Sequence, residues 1–208
     1  MARYRGPACR ICRRLAEKLY LKGEKCYSPR CPFERRPYAP GRRSMRRRKV
    51  SDRGLQLREK QKGRSAYGIL ERQFRRYYKE AVRRKGITGE NLLCILEMRL
   101  DNVVYRLGFA DSRNQGRQLV RHGHISLNGR KADIPSHIIK VNDVIGWTAR
   151  GAKSEFFQVL KEQIAGRSVP AWLSVDGEQM TGRVLSRPTL EDIGAKFDPA
   201  TIVEYYSR

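Results

Sequence analysis

Positive charge concentrated at the start of the chain is the feature that most limits how it can fold. Residues 1–50 hold 17 basic and only three acidic residues, a formal charge of +14. The charge falls to +7 over residues 51–100, +4 over 101–150 and −1 over 151–208, for a total of +24. Crowded like charges destabilise a compact chain, and salt screens them only in part. We therefore expect a polyanion to supply the missing negative charge.

Apolar residues are distributed as unevenly as the charge. They make up 39% of the 208 residues, enough for a moderate core in one or two domains. Residues 69–147 are rich in Leu, Ile and Val, whereas residues 30–49 are mostly Arg, Pro and Gly and cannot fold alone. The first residues do not resemble a secretory signal, and no stretch approaches a run of about 18 apolar residues. We expect a soluble cytoplasmic protein that does not bind membranes.

Residues 51–122 carry the periodicity of helices. Apolar side chains between positions 55 and 81 predict an amphipathic helix with a cationic outer face. Lys85–Gly86 should end it, and residues 88–91 should begin a helix whose apolar repeat runs over 92–107. Ser112 and Gln115 form a capping-box pattern for a helix over 113–122. That helix would carry one outer stripe of arginines, spaced by four: Arg113, Arg117 and Arg121.

The period changes to that of strands after residue 123. Asn128–Gly129 predicts a tight hairpin between a strand at 125–127 and one that returns through 132–134. A further strand is expected over 143–148 and a helix over 153–165. The remaining residues predict a loop-rich segment anchored by four apolar side chains: Trp172, Ile193, Phe197 and Ile202.

Four cysteines near the start of the chain have the spacing of a metal site. Two residues separate Cys9 from Cys12, four separate Cys26 from Cys31, and 13 lie between the pairs. Four soft thiolates brought together by tight turns suit one structural Zn²⁺. We expect three neighbouring arginines to lower the pKa of the thiols and favour the thiolate form: Arg10, Arg13 and Arg14.

Three alternatives to zinc remain open for these cysteines. An iron–sulfur cluster uses the same four thiolates, and spacing does not distinguish it from zinc. Disulfides are disfavoured in a reducing compartment, and four free thiols are the third alternative. Zinc is favoured because four cysteines with this spacing more commonly bind a redox-inert, structural metal ion. Cys94 lies in an apolar helix and is predicted to be a small core residue.

One segment resembles a known RNA-binding domain. Residues 99–130 (RLDNVVYRLGFADSRNQGRQLVRHGHISLNGR), continued by VNDV at 141–144, closely resemble the domain first described in the fourth protein of the small ribosomal subunit. In that family a basic second helix and a hairpin turn face RNA together. The same domain resembles parts of RNA pseudouridine synthases, tyrosyl-tRNA synthetases and a heat-shock ribosome-binding protein.

Segments outside this domain extend the resemblance to the bacterial ribosomal family over essentially the whole chain. They include LREKQK at 57–62, ERQF at 71–74 and IVEYYSR at 202–208. The cysteines resemble those of its zinc-bearing subset. One departure is RRS at 42–44, where the family usually has Gln-His-Gly, so no role of that histidine applies here.

The resemblance implies a mainly helical α+β fold. Residues 1–50 would form a four-cysteine metal knuckle and a basic arm, and residues 51–98, completed by 166–208, a helical domain. An inserted RNA-binding domain of two helices and a β-hairpin or small sheet would occupy 99–165. The implied function is that of a structural, non-enzymatic constituent of the small ribosomal subunit. Such a protein is a primary binder of 16S rRNA that starts assembly of the subunit body and contributes to translational accuracy. Its other partners would be small-subunit proteins, in particular the fifth, and mRNA near the channel through which it enters.

The expected RNA contacts fall into three groups of side chains that would neutralise phosphates and release counterions. In the first fifty residues they are Arg3, Arg5, Arg13, Arg14, Arg35, Arg36, Arg42, Arg43, Arg46, Arg47, Arg48 and Lys49, the last six lying near mRNA. In the helical domain they are Arg58, Lys60, Lys62, Arg72 and Arg76. In the RNA-binding domain they are Arg113, Arg117, Arg121, His124, Asn128 and Arg130, although the arginine stripe could instead be only a solvated helix face.

Two other functions compete with this one. Arg99-Leu100-Asp101 superficially resembles the triplet that carries the catalytic aspartate of pseudouridine synthases, which would make the chain an RNA-modifying enzyme. However, only 64 residues follow Val144, too few for a catalytic domain, and Asp101 is better explained as an ion-pair partner. The other competitor is a regulator, either an RNA-binding one that shares the same RNA-binding domain or a zinc-bearing DNA-binding one. Against the DNA-binding one, the cysteines lack the helix spacing of a major-groove zinc finger.

Overall fold

The computed structural model describes residues 4–41 and 50–207, and its elements divide into two compact units. One unit comprises residues 1–93 and 195–208, and the other residues 94–194. The expected mainly helical α+β class is confirmed, with one small antiparallel sheet. Neither described range contains a helix long and apolar enough to cross a membrane.

The elements follow one another in this order. They are α1 (Ala8–Leu15), α2 (Pro32–Arg35), α3 (Asp52–Ala66), α4 (Glu71–Arg83), α5 (Thr88–Glu97), α6 (Leu100–Arg106), α7 (Arg113–Arg121), β1 (Ile125–Leu127), β2 (Arg130–Lys131), β3 (Val144–Trp147), α8 (Ala149–Ala152), α9 (Glu155–Gln163), β4 (Leu173–Asp176), β5 (Thr181–Val184), α10 (Leu190–Ile193) and α11 (Pro199–Ser207).

In the first unit, the C-terminal helix α11 packs on α3. Gly63 of α3 allows the close approach, because a Cβ there would lie 3.1 to 3.2 Å from Phe197 and Ile202. Both of those apolar side chains are buried, as the sequence predicted. The inner face of α4 is also as predicted, with Phe74 and Tyr77 in the core.

The single amphipathic helix predicted between positions 55 and 81 is wrong, because two helices occupy that range. The chain turns between α3 and α4 through Gly68, which has a φ of 62° that favours glycine. Leu55 and Leu57 are exposed rather than buried. The inner face of α3 instead carries Gln56 and Lys60, which find polar partners within the unit.

The second unit is built on a five-stranded antiparallel sheet with the order β2-β1-β3-β5-β4. Its core contains Val103 and Leu107 of α6 together with Ile125 and Ile145 of the sheet. The predicted hairpin turn is confirmed: Asn128 and Gly129 have φ values of 49° and 77°, as a tight two-residue turn requires. The strand expected over 143–148 is confirmed as β3.

The long apolar repeat over 92–107 is interrupted, and this break was not predicted. Arg99 is extended, with φ −74° and ψ 138°, and separates α5 from α6. The backbone there pairs with a loop instead of continuing the helix: Leu100 N donates to His137 O at 2.9 Å, and Ile139 N donates to Met98 O at 2.8 Å.

The C-terminal segment contains more regular structure than the sequence indicated. Trp172 and Ile193 are buried as expected. However, β4 and β5 pair with each other, and β5 continues the sheet beside β3. Residues up to Gly194 therefore group with the second unit, whereas the sequence had placed 166–208 with the helical domain.

Candidate nucleic-acid interface and cysteine pocket

The four N-terminal cysteines line one small pocket. Cys9 and Cys12 come from α1, Cys26 ends a short 3-10 turn, and Cys31 immediately precedes α2. Lys18, Leu21, Lys22 and Phe33 complete much of the wall. The four thiols therefore lie together, as the spacing predicted, and they lie beside the small apolar cluster of α1.

Burial raises the pKa of the Cys12 thiol, and the other three cysteines raise it further, although a backbone hydrogen bond from Leu19 acts in the opposite direction. Burial also raises the pKa of Cys26. For Cys12 and Cys26, the prediction that nearby arginines lower the pKa of the thiol was therefore wrong. Arg10 and Arg14 are exposed, and the Arg13 guanidinium is engaged elsewhere, donating to Tyr38 O at 2.9 Å.

None of the five cysteines, all of which lie within the described residues, forms a disulfide bond. No group of three or more His, Cys, Asp or Glu side chains within residues 4–41 and 50–207 has the arrangement of a metal site. Cys94 is half-buried against the core of the second unit, close to the role predicted for it.

One face of α4 forms an exposed cationic surface, which we call the α4 face. Its members are Arg72, Arg75, Arg76, Lys79 and Arg83. Within the described part of the chain, none of the five forms an ion pair with a carboxylate. Like charges three or four residues apart on a helix repel each other. This face therefore favours an anion as its partner.

The two lysines predicted as RNA contacts on α3 lie inside the first unit. Only 4% of Lys60 is exposed. Its Nζ lies 2.8 Å from a Glu71 carboxylate oxygen and 4.7 Å from the centre of the Tyr205 ring. Lys62 Nζ lies 2.7 Å from carboxylate oxygens of both Glu17 and Glu59. This geometry indicates that both lysines stabilise the first unit, and the RNA contacts expected of them stay predictions.

Several other residues predicted to contact RNA are exposed. They are Arg5, Arg14, Arg35 and Arg36 in the N-terminal region, and Arg58 on α3. Arg13 is half-buried, with its guanidinium carbon 5.2 Å from the centre of the Tyr38 ring. The remaining seven RNA contacts predicted in the first fifty residues lie outside the described residues: Arg3, Arg42, Arg43, Arg46, Arg47, Arg48 and Lys49.

Two of the three arginines predicted to form an outer stripe on α7 instead belong to a buried ion-pair network. Arg117 Nη1 lies 2.9 Å from Asp101 Oδ2, and Arg99 forms two hydrogen bonds to the same carboxylate. Arg113 Nε donates to Asn102 Oδ1 at 2.7 Å, and its guanidinium lies 3.6 Å from Glu97. Only 16% and 20% of the Arg117 and Arg113 side chains are exposed.

This network fixes the position of α7 against α6. Gly116 brings the two helices together, because a Cβ there would lie 2.7 Å from the Asp101 carbonyl oxygen. Ser112 caps α7 by accepting from Gln115 N. The Gln115 side chain accepts from Asp111 N at 2.8 Å, so the predicted capping box is only half formed. Asp101 is the ion-pair partner that the sequence predicted.

A second cationic surface lies where α7, the β1–β2 hairpin and α8 meet, and we call it the hairpin cluster. Its members are His122, His124, Lys131 and Arg150. The His122 and His124 ring centres are 6.2 Å apart. The exposed Arg121 and Arg130 flank the cluster in sequence.

The exposed Asn128 uses its side-chain amide for two hydrogen bonds within the second unit. Its Nδ2 donates to Asp143 Oδ1 at 2.9 Å, and its Oδ1 accepts from Val144 N at 2.8 Å. The amide therefore ties the hairpin to β3, and the RNA contact expected of Asn128 stays a prediction.

Sequence reasoning placed Arg75, Lys79 and Arg83 on the cationic outer face of the predicted helix but did not count them, or Arg150, among the RNA contacts. Arg75, Lys79 and Arg83 share the cationic period that identified Arg72, so the signal was present. Arg150 carried no such signal, because it joins the hairpin cluster only through the packing of α8 beside His124.

Comparison with known proteins gives matches along the whole chain. A family model described as "Ribosomal protein S4/S9 N-terminal domain" matches residues 3–97, and one described as "S4 domain" matches residues 98–145. The chain is 56%, 55% and 54% identical to proteins named "Small ribosomal subunit protein uS4" from Acetivibrio thermocellus, Solidesulfovibrio magneticus and Pelotomaculum thermopropionicum. Each of these similarities covers 208 residues and the full length of both chains.

Proposed function

The chain belongs to the family of small ribosomal subunit protein uS4, and on that premise we propose that it is a structural constituent of the small subunit that binds ribosomal RNA. The main support from the structure is the α4 face, where five exposed cations have no acidic partner in the described part of the chain. A polyanion removes the repulsion among these cations, and release of its counterions supplies favourable free energy.

Within that function, we infer that the RNA is 16S rRNA and that binding starts assembly of the subunit body. The resemblance of residues 99–130 to an RNA-binding domain supports a folded RNA target, which proteins recognise mainly by shape and phosphate positions. The concentration of positive charge in residues 1–50 supports contact of the basic arm with mRNA near the channel through which mRNA enters. It also supports a contribution to translational accuracy. The weakly charged C-terminal region supports contact with another small-subunit protein, the fifth.

The protein is a structural component and not an enzyme. The triplet that resembles the catalytic segment of pseudouridine synthases contributes Asp101 to the buried ion-pair network. Its carboxylate accepts hydrogen bonds from Arg99 and Arg117, and only 4% of the residue is exposed. The aspartate therefore stabilises the fold.

We propose that Cys9, Cys12, Cys26 and Cys31 hold one structural Zn²⁺. Soft donors that line a common pocket beside apolar side chains support the assignment. When bound, zinc supplies a cross-link between α1 and the segment that leads into α2. The thiols must lose their protons to bind it, so affinity should rise with pH.

Elemental analysis and an absorption spectrum of the purified native protein test the metal assignment. We expect about one zinc per chain. Cys26→Ser should lose the metal, whereas Cys94→Ser, which changes the one cysteine outside the pocket, should retain it. Iron, sulfide and a broad visible band would show the alternative iron–sulfur cluster instead.

Binding to a transcript of the 5′ domain of 16S rRNA at several salt concentrations tests the RNA assignment. We expect affinity to fall steeply with salt. The double variant Arg72→Gln/Arg76→Gln should reduce the slope of log K against log salt by about 0.7 to 0.9 for each phosphate that is no longer neutralised. Arg187→Gln, an exposed arginine outside both surfaces, is the matched control. A preference for duplex DNA at equal salt would contradict the proposal and favour a DNA-binding regulator.

A further inference from the structure

The hairpin cluster contains an imidazole that is held in place but incompletely hydrogen-bonded. His124 lies between α7 and β1, and its carbonyl oxygen accepts from Thr148 N at 2.9 Å. Gly151 of α8 packs so closely that a Cβ there would clash with the same carbonyl oxygen. The backbone of His124 is therefore fixed by α8 and by Thr148, which caps that helix. Its Nδ1 is buried and has no hydrogen-bond partner within the described part of the chain.

The charged groups around this imidazole are basic on each element that meets there. Arg150 comes from α8 and His122 from the end of α7, and both act electrostatically on His124. Lys131 comes from β2 and extends over Gly123, where its Cε would lie 2.5 Å from an added Cβ. Arg121 on α7 and Arg130 on β2 add exposed positive charge at the edge.

Burial, followed by the charges of Arg150 and His122, lowers the pKa of His124 below its ordinary value. In the free protein these surroundings therefore favour the neutral form of the imidazole. A negative group placed beside Arg150, His122 and Lys131 would reverse the electrostatic part of that effect, because an opposite charge nearby favours the protonated ring.

We propose that the hairpin cluster binds a phosphate of the RNA backbone, and that His124 takes up a proton from solvent when the phosphate enters. The inference rests on the proposed function, since it names a subsite for the same RNA. Lys131 and Arg150 supply permanent charge, whereas His124 supplies charge only when the phosphate is present. RNA affinity should then rise as pH falls through the range between the free and bound pKa values of His124.

Two measurements with a 5′-domain transcript of 16S rRNA test this. The first is affinity at pH 7.5 and 6.0 at constant ionic strength, where one additional bound proton changes affinity by at most about tenfold per pH unit. On going from pH 7.5 to pH 6.0, we expect the RNA affinity of the native protein to increase by a factor at least about threefold larger than that of His124→Gln. His137→Gln, which alters an exposed imidazole outside the cluster, should behave like the native protein.

The second measurement needs no variant for its readout. Proton NMR of the histidine ring signals gives the pKa of His124 in the free protein and in the complex, and we expect a higher value in the complex. An unchanged or lower pKa, together with equal pH dependence in His124→Gln and the native protein, would overturn the inference while leaving RNA binding intact. Absence of RNA binding at every pH would overturn the proposed function as well.

Discussion

Replacing Asp101 with alanine should strongly destabilise the second unit. The carboxylate accepts hydrogen bonds from Arg99 at 2.7 and 3.0 Å and from Arg117 at 2.9 Å. Only 2% of Arg99 is exposed, so the change leaves a guanidinium in the interior without this counterion. Removing one member of a buried ion pair costs about 3–5 kcal/mol. Domains unfold with a free energy of only about 5–15 kcal/mol, so this cost is a large fraction of the total.

Urea unfolding followed by tryptophan fluorescence measures this destabilisation selectively. The chain has two tryptophans, Trp147 and Trp172, and both lie in the second unit. With a slope of about 2 kcal/mol/M, a decrease of about 4 kcal/mol in the free energy of unfolding lowers the midpoint by about 2 M urea. Asp101→Asn should be destabilised less, because it keeps an oxygen acceptor and the side-chain volume.

Asp133→Ala is the matched control for this experiment. Asp133 is an exposed aspartate of the same unit, so its replacement should change the free energy of unfolding by no more than about 0.5 kcal/mol. If Asp101→Ala also cost less than about 1 kcal/mol, the ion-pair network would not be what holds α7 on α6, and its assigned role would be wrong.

Two further predictions test the packing and the pH dependence. In the same assay, Gly116→Ala should lower the free energy of unfolding by about 1–3 kcal/mol, because the added Cβ would lie 2.7 Å from the Asp101 carbonyl oxygen. Gly166→Ala is the control: a Cβ there has no neighbour within 4 Å, so the free energy of unfolding should hardly change. Burial acts to raise the pKa of Glu71, but hydrogen bonds from Lys60 and Tyr206 outweigh it and lower the pKa below its ordinary value. Glu71 therefore stabilises the first unit at neutral pH, and this contribution disappears as pH falls below about 4.5. Glu71→Gln should be less stable at pH 7 and lose less stability on acidification, as followed by circular dichroism; equal pH dependence in the two proteins would contradict this.

Local signals in the sequence predicted the parts of the fold that depend on neighbours in the chain. Asn128–Gly129 indicated the hairpin, because few residues adopt two successive positive φ values. The apolar period indicated the buried face of α4, and the spacing of Cys9, Cys12, Cys26 and Cys31 correctly predicted that they share one pocket.

The features that were missed depend on residues distant in sequence. The break at Arg99 arises because residues 135–139 pair with the backbone around it, and no local signal marks that pairing. Arg113 and Arg117 looked solvent-facing by helical period. The sequence indicated that Asp101 forms an ion pair, but it did not show that Arg117 is a partner or that Glu97 lies within reach of Arg113. In the same way, the cysteine pKa prediction counted nearby arginines but not the burial of the thiols, which raises the pKa of Cys12 and Cys26.

Sedimentation of the native protein through a gradient that separates ribosomal subunits tests the ribosomal assignment most directly. We predict that the protein is found with the small subunit, and that high salt releases it because phosphate contacts dominate its binding. Its absence from the small-subunit fraction at low salt would contradict that assignment, whatever the outcome of the variant experiments.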